Sequence, residues 1–234
     1  MPHVLLINPN TSGAVTQALL QHLSPQLAQV QVQGATAAFG APYIADERSY
    51  CIAGHAVLDV WERARHTAPT GGFDAAVVAC FGDPGLEALQ ESTPCPVLGL
   101  AETAMHSLRA LGAQSVVLIT GGPVWATMLE RWSRSHGYAT PAVAGDIRIQ
   151  QVLALPASGA QMMQSPEAAA HALAQASQLA MQEQRPDAIV LGGAGLAGMG
   201  ARVRQLTGAP VWDSVETLQM RLQSLFPCEA PQVA

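Results

Sequence analysis

Two turns in the sequence follow short apolar segments, and only one of them carries a reactive side chain. The first turn begins at Cys80, after AAVVA, and the second begins at Gly193, after AIVLG. A thiol can take a proton from a carbon next to a carbonyl group or return one, while backbone N–H groups stabilise the enolate that forms. Gly193 has no side chain that donates or accepts a proton, so proton transfer at this pair of turns rests on Cys80.

The two turns belong to an internal repeat. An aspartate stands six positions before each turn residue, at Asp74 and at Asp187. The pattern P-V-x4-E-T follows 16 residues after Cys80 and 17 residues after Gly193. Upstream, the segments VLLIN and VVLIT precede the two turns at nearly equal distances. We therefore predict two similar halves in which Cys80 and Gly193 occupy equivalent positions.

Alternating strands and helices must position these turns. Apolar runs typical of buried parallel strands occur at Val4–Ile7, Ala75–Ala79, Val97–Leu100, Val116–Ile119 and Ile189–Leu191, with weaker candidates at Val30–Val32 and Pro210–Trp212. Helical patterns occur at Ser12–His22, Ala53–His66, Gly85–Glu91, Glu102–Leu111, Val124–Ser135, Pro166–Glu183, Gly200–Leu206 and Val215–Leu225. This alternation predicts an α/β fold in which each half is a parallel sheet flanked by helices.

The repeat also predicts how the chain divides. We expect residues 1–101 with 215–234 to form the first lobe and residues 102–214 to form the second. Ligands of α/β sheets bind at the carboxyl ends of the strands, so the active site is expected in the cleft between the lobes. The turns after four strands would line this cleft, with Cys80 facing Gly193 across the ligand.

Composition excludes several function classes. All 11 basic residues are arginine, which excludes the lysine Schiff base of pyridoxal phosphate enzymes and the lysine of a P-loop. A net charge of −6 disfavours nucleic-acid binding, and no apolar run approaches the length of a membrane span. The four cysteines form no zinc-binding pattern, and the N-terminus lacks the features of a signal peptide, so a cytoplasmic location is expected.

The segments LLINPNTS, VVACFGDPGLEAL and AIVLGGAGLAGM resemble the aspartate/glutamate/hydantoin racemase superfamily, and most closely its hydantoin and allantoin racemase branch. The resemblance runs from the first strand to about Glu216. It implies two pseudo-symmetric lobes, no cofactor, a homo-oligomer, and two cysteines on opposite faces of the substrate carbon. Cys80 matches the first of these cysteines, whereas Gly193 stands where the branch usually has the second.

The candidate site residues follow from the repeat and the resemblance together. The predicted catalytic positions are Cys80, which could act as base or acid if turn dipoles lower its pKa, and Gly193, the position of the missing cysteine. The predicted substrate-binding residues are Asn8, Asn10, Thr11, Tyr43, Phe81, Gly82, Thr120, Gly121, Ala194 and Gly195. We expect Asp83 and Asp213 to order turns, and His106 to be structural. The expected partner is a small molecule, without a metal, a nucleic acid or a membrane.

Three functions are consistent with this pattern. The first is a cofactor-independent racemase or epimerase that moves the α-proton of a small hydantoin- or amino-acid-like substrate. The second is a one-thiol decarboxylase or lyase similar to arylmalonate decarboxylase, in which the cysteine and the glycine occupy the opposite positions. The third is an impaired member that only binds its ligand.

Overall fold

The computed structural model describes residues 1–140 and 145–227, so Cys228 lies outside the described residues. In this part of the chain the first sheet contains β1 (His3–Asn8), β2 (Gln31–Thr36), β3 (Ala75–Val78) and β4 (Val97–Gly99). The second sheet contains β5 (Ser115–Gly121), β6 (Arg148–Leu155), β7 (Ala188–Gly192) and β8 (Val211–Asp213). Both sheets are parallel, with the orders β2-β1-β3-β4 and β6-β5-β7-β8.

Helices flank both sheets. In the described residues they are α1 (Gly13–Leu23), α2 (Glu47–Arg65), α3 (Leu86–Ser92), α4 (Leu100–Ala110), α5 (Pro123–Ser135), α6 (Gly159–Gln164), α7 (Pro166–Glu183), α8 (Met199–Thr207) and α9 (Ser214–Leu225). The predicted α/β fold with two similar sheets is therefore confirmed. Within residues 1–140 and 145–227, no helix is both long enough and apolar enough to cross a membrane.

The two sheets have equivalent registers in two of their three strand pairings; the third differs, because β5 and β6 pair through a register shift that β1 and β2 lack. Val4 of β1 pairs with Ala75 of β3, and the equivalent Val116 of β5 pairs with Ala188 of β7. The outer strands β4 and β8 follow the same rule, pairing through Ala76 with Val97 and through Ile189 with Val211. Because a slip of one residue would reverse which side chains face each side of a sheet, equal registers mean equal inner and outer faces. We call the half built on β1–β4 the first lobe and the half built on β5–β8 the second lobe.

The repeated aspartates explain part of this likeness. The carboxylate of Asp74 accepts the N–H of His3 at the start of β1, at 2.8 Å. The carboxylate of Asp187 accepts the N–H groups of Gln114 and Ser115 at the start of β5, at 3.0 and 2.9 Å. Each aspartate therefore fixes the start of the central strand of its own sheet.

The core has a shared central part and two outer parts. Side chains alternate along each strand, so Val4 and Leu6 of β1 face the central part, whereas Leu5 and Ile7 face an outer one. The central part also takes in residues of the second sheet and of α9, among them Val190 and Leu218. The residues of α9 thus pack against both lobes, and the predicted lobe boundaries at residues 101 and 214 stay predictions.

Four elements differ from the sequence-based expectations. The edge strand β6 and the short helix α6 were not predicted; β6 begins with Arg148 and carries Gln150 and Gln151 before its apolar residues 152–155. Helix α2 begins at Glu47 instead of Ala53, since Asp46 and Ser49 form a capping box at its start. β2, an edge strand of the first sheet, begins one residue after Val30 and ends four residues after Val32, the bounds predicted from the sequence.

Candidate active site

A cavity of about 40 Å³ lies between the lobes, at the carboxyl ends of β1, β3, β5 and β7. The sequence-predicted residues that line it are Asn10, Tyr43, Cys80, Phe81, Thr120, Gly121, Gly193, Ala194 and Gly195. The lining residues that sequence reasoning missed are Val15, Ile44, Ala79, Trp125, Gly159, Met163, Gly192 and Leu196. The structure thus brings the Cys80 turn and the Gly193 turn to one cavity, whereas Asn8, Thr11 and Gly82 lie outside its lining.

Cys80 is buried at the end of β3, with 8% of its surface exposed. Burial raises the pKa of its thiol, and the nearby Asp83 carboxylate raises this pKa further. The loss of hydration on burial disfavours the thiolate, so the structure does not show the lowered pKa that would make Cys80 a ready base. Burial thus favours the neutral thiol of Cys80 over the thiolate.

Asp83 lies behind Cys80 and outside the cavity. Its carboxylate accepts the N–H groups of Ala101 and Glu102, at 2.9 and 2.8 Å, in the first turn of α4. Burial raises the pKa of this carboxyl to about 7, and the charge of Glu102 acts in the same direction, while these two hydrogen bonds and His136 oppose it. Asp83 therefore ties the turn after Cys80 to the start of α4, in agreement with the structural role expected from the sequence.

The Gly193 turn has a conformation that other residues rarely adopt. Gly193 has a φ of +146°, and it precedes a short 3₁₀ turn formed by Ala194–Leu196. A β-carbon at Gly193 would lie 3.8 Å from Cγ of Leu196, an ordinary contact distance. The space for a side chain is therefore present, but the backbone conformation favours glycine.

Polar side chains complete the cavity wall. Asn8 is fully buried and donates from Nδ2 to Oδ1 of Asn10, at 3.0 Å, and to Thr16, at 2.9 Å. Asn8 thus positions the loop that carries Asn10, without itself reaching the cavity. Thr120 donates its hydroxyl proton to the carbonyl oxygen of Gly192, at 2.8 Å, which leaves the hydroxyl oxygen as an acceptor.

The loop after β2 connects the two lobes across the cavity. The hydroxyl oxygen of Tyr43 accepts the N–H of Gly159, at 3.0 Å, and the carbonyl oxygen of Ile44 accepts the indole N–H of Trp125, at 2.9 Å. Both donors belong to the second lobe. Thr11 supports the same loop from the outside, because its N–H donates to the carbonyl oxygen of Ala41.

The lining residues include no carboxylate, guanidinium or imidazole side chain. His106, on α4, has an exposed side chain close to Glu102 and is not part of the lining. The polar groups that face a ligand are therefore a thiol, hydroxyls, an amide and backbone groups. Such a cavity suits a neutral molecule that receives and donates hydrogen bonds, since a buried charge without a partner is costly.

Comparison with known protein families identifies the family of this chain. Residues 4–220 match the Asp/Glu/Hydantoin racemase family. The chain belongs to this family. The predicted family is thus confirmed and, at the level of the family, so is the predicted enzyme class of racemase.

The similarity to individual members of the Asp/Glu/hydantoin racemase family extends over most of the chain. A hydantoin racemase from Paenarthrobacter aurescens is 32% identical over 224 residues, which cover 95% of this chain and 90% of that protein. The crystal structure of allantoin racemase from Pseudomonas fluorescens has a TM-score of 0.83 at 26% identity, over 95% of this chain and 90% of that one. Arylmalonate decarboxylase shares the fold, with a TM-score of 0.67 at 19% identity over 98% of this chain and 94% of that one.

Proposed function

We propose that the protein racemises or epimerises a small neutral substrate of the hydantoin type by moving the proton on its α-carbon. The observation that carries this proposal is the uncharged cavity that holds Cys80 between two strand-end turns. An amino acid would bring an ammonium and a carboxylate group into a cavity that offers no charged partner for either. A cyclic amide or imide instead matches the neutral donors and acceptors of Asn10 and Thr120.

In the proposed reaction the thiolate of Cys80 takes the α-proton, and the electron pair of the broken C–H bond moves into the adjacent carbonyl group as an enolate. The amide N–H groups of Ala194 and Gly195 open the 3₁₀ turn and have no partner within it, so they are available to the enolate oxygen. Return of a proton to the opposite face inverts the carbon. Because burial raises the pKa of Cys80, the thiolate forms more readily at higher pH, and the rate should increase with pH.

The test is incubation of single enantiomers of 5-monosubstituted hydantoins in D₂O, followed by NMR for α-deuterium and by chiral chromatography. We expect deuteration with inversion from the unchanged protein. Cys80→Ala should lower both rates by ~10²–10⁴-fold, the usual cost of losing a positioned acid/base group. Cys51→Ala is the matched control, because Cys51 is an exposed free cysteine outside the cavity. Wild-type exchange rates in Cys80→Ala would contradict the mechanism.

A one-thiol decarboxylase is the second candidate, and the burial of Cys80, which favours the neutral thiol, supports it. In that reaction a disubstituted malonate loses one carboxylate as CO₂, a loss that an uncharged cavity favours because it offers the carboxylate no charged partner. The carbanion left behind takes the proton of the thiol. The departing group would occupy the space beside Gly193, against the apolar side chain of Leu196. Release of CO₂ from such a malonate, without deuterium exchange in hydantoins, would favour this function. Binding of both compounds without reaction would indicate a member that only binds its ligand.

A further inference from the structure

Inversion of the α-carbon requires a proton carrier on each face of the substrate, and the Gly193 turn supplies none. Among the residues that line the cavity, Cys80 and Tyr43 are the two whose side chains titrate. The wall near Gly193 otherwise consists of backbone, the apolar side chains of Leu196 and Met163, and the Thr120 hydroxyl, whose proton is donated to Gly192. A second protein proton carrier within this cavity would therefore have to be Tyr43.

Tyr43 belongs to a loop of the first lobe, but its hydroxyl group lies against the second lobe. The hydroxyl oxygen is 3.0 Å from the backbone nitrogen of Gly159. Gly159 in turn lies against the Gly193 turn, because a β-carbon on Gly195 would be only 2.8 Å from the carbonyl oxygen of Gly159. Gly159 thus links the Tyr43 hydroxyl, through its N–H, to the turn on which the second cysteine is missing, through its carbonyl oxygen.

The hydrogen bonding of Tyr43 leaves its proton available. The oxygen accepts the N–H of Gly159, while within the described residues the hydroxyl proton has no protein acceptor. An N–H donor stabilises a phenolate more than a phenol, since hydrogen bonds to charged groups are the stronger ones. Gly159 also admits the close approach, because a β-carbon there would lie 2.9 Å from the Tyr43 oxygen. Burial raises the pKa of Tyr43 and the charge of Cys80 raises it further, while the Gly159 hydrogen bond opposes both, so the balance favours the hydroxyl as a proton donor.

We propose that Tyr43 is the second acid/base group of this active site and carries the proton on the face opposite Cys80. This inference rests on the proposed racemase function. In one direction the Cys80 thiolate takes the α-proton and the Tyr43 hydroxyl gives its proton to the other face, leaving a thiol and a phenolate. In the reverse direction the phenolate takes the proton and the thiol returns one. The two protein forms exchange protons with solvent between turnovers, so the protons balance.

The substitution Tyr43→Phe tests this assignment in D₂O, with the hydantoin enantiomer whose α-hydrogen faces Cys80. Cys80 alone can still remove the proton and return a deuteron to the same face, so exchange with retention should persist. Inversion should fall by ~10²–10⁴-fold, and the ratio of inversion to exchange should fall with it. Tyr50→Phe is the matched control, since Tyr50 donates its hydroxyl proton to the carbonyl oxygen of Gly82 and does not line the cavity. It should change inversion and exchange together and leave their ratio unchanged.

The outcomes separate the two proposals. Inversion by the wild-type protein with the same inversion-to-exchange ratio in Tyr43→Phe would overturn the role of Tyr43 and leave the racemase function in place. Neither exchange nor inversion of any hydantoin by the wild-type protein would overturn the proposed function, and this inference with it.

A second measurement covers the case in which Tyr43→Phe weakens the contact between the lobes. Difluorotyrosine at position 43 keeps the ring and the hydroxyl group but lowers the phenol pKa. If Tyr43 carries the proton, the pH profile of inversion should shift to lower pH, while the profile of exchange at Cys80 keeps its position. Equal profiles for the wild-type and fluorinated proteins would overturn the assignment.

Discussion

The N-cap residues of α4 and α9 have similar backbone conformations, but the carboxylate that accepts the first N–H groups of each helix comes from a different position in the two lobes. Asp213 caps α9 from the N-cap position, with φ −99° and ψ 166°, and accepts the N–H groups of Val215 and Glu216. Gly99 is the equivalent residue in the first lobe, with φ −97° and ψ 152°. There the carboxylate comes instead from Asp83, whose position in the second lobe is occupied by Leu196.

Gly99, the counterpart of Asp213, and Gly193, the counterpart of Cys80, are glycines for different structural reasons. The backbone of Gly99 is one that any residue adopts, but a β-carbon there would lie 2.3 Å from Cγ of Asp83. Gly193 has room for a β-carbon, but its φ of +146° disfavours one, whereas the equivalent Cys80 has no positive φ. The first lobe thus needs a glycine for space beside Asp83, and the second lobe needs one for conformation opposite Cys80.

The largest expected effect is on stability, when the capping arrangement of the second lobe is placed in the first. Gly99→Asp alone forces two carboxyl groups into one site and should lower the free energy of unfolding by about 3 kcal/mol or more, from overpacking and charge repulsion. Asp83→Gly alone should cost about 1–3 kcal/mol, because the N–H groups of Ala101 and Glu102 lose their acceptor. The double variant restores a carboxylate at the N-cap and should be more stable than Gly99→Asp.

Urea unfolding of the four proteins measures this coupling as a double-mutant cycle. If the double variant loses as much free energy of unfolding as the two single variants together, a carboxylate at position 99 cannot replace the one at position 83.

The second prediction concerns the pH dependence of stability. The pKa of Asp83 is raised from 3.8 to about 7, so the unfolded chain ionises first as the pH increases. Stability from this group is complete below about pH 4 and is lost as the pH approaches 7, by no more than about 4 kcal/mol. Asp83→Asn should therefore show a smaller loss of unfolding free energy between pH 4.5 and 7.5 than the wild-type protein.

Asp213 offers the comparison in the other lobe, because burial raises the pKa of its carboxyl as well. Asp213→Asn should change the pH slope in the same direction. Equal slopes for Asp83→Asn and the wild-type protein, measured by urea unfolding at both pH values, would show that Asp83 stays ionised in the folded protein.

The central strands were predictable from the sequence because they are buried on both faces. β1, β3, β5 and β7 consist mainly of apolar residues, so their runs stand out, and the repeat then relates Cys80 to Gly193. The edge strand β6 was not predictable in the same way, since Gln150 and Gln151 interrupt its apolar pattern at the register shift beside Val116 and Val117.

The parts of the site that the sequence did not predict depend on contacts between distant residues. Gly159 follows the missed strand β6, and its hydrogen bond to Tyr43 joins residues 116 positions apart. Trp125 reaches the cavity because its indole N–H binds Ile44, 81 positions away. The raised pKa of Cys80 was not predictable either, because the burial that raises it depends on the packing of both lobes around one thiol.

The smallest expected effect on stability comes from restoring a cysteine to the second turn. Gly193→Cys should lower the free energy of unfolding by about 1–3 kcal/mol, the usual cost of a residue held in a sparsely populated backbone region. The new thiol has space beside Leu196, so inversion of hydantoins should increase relative to exchange.

Gly193→Ala is the control, since it carries the same backbone strain without a proton carrier and should lower stability without raising inversion. An equal gain of inversion in both variants would mean that the change in the turn, and not the thiol, affects the reaction. No loss of stability in either variant would mean that the turn readily adopts the conformation of its counterpart at Cys80.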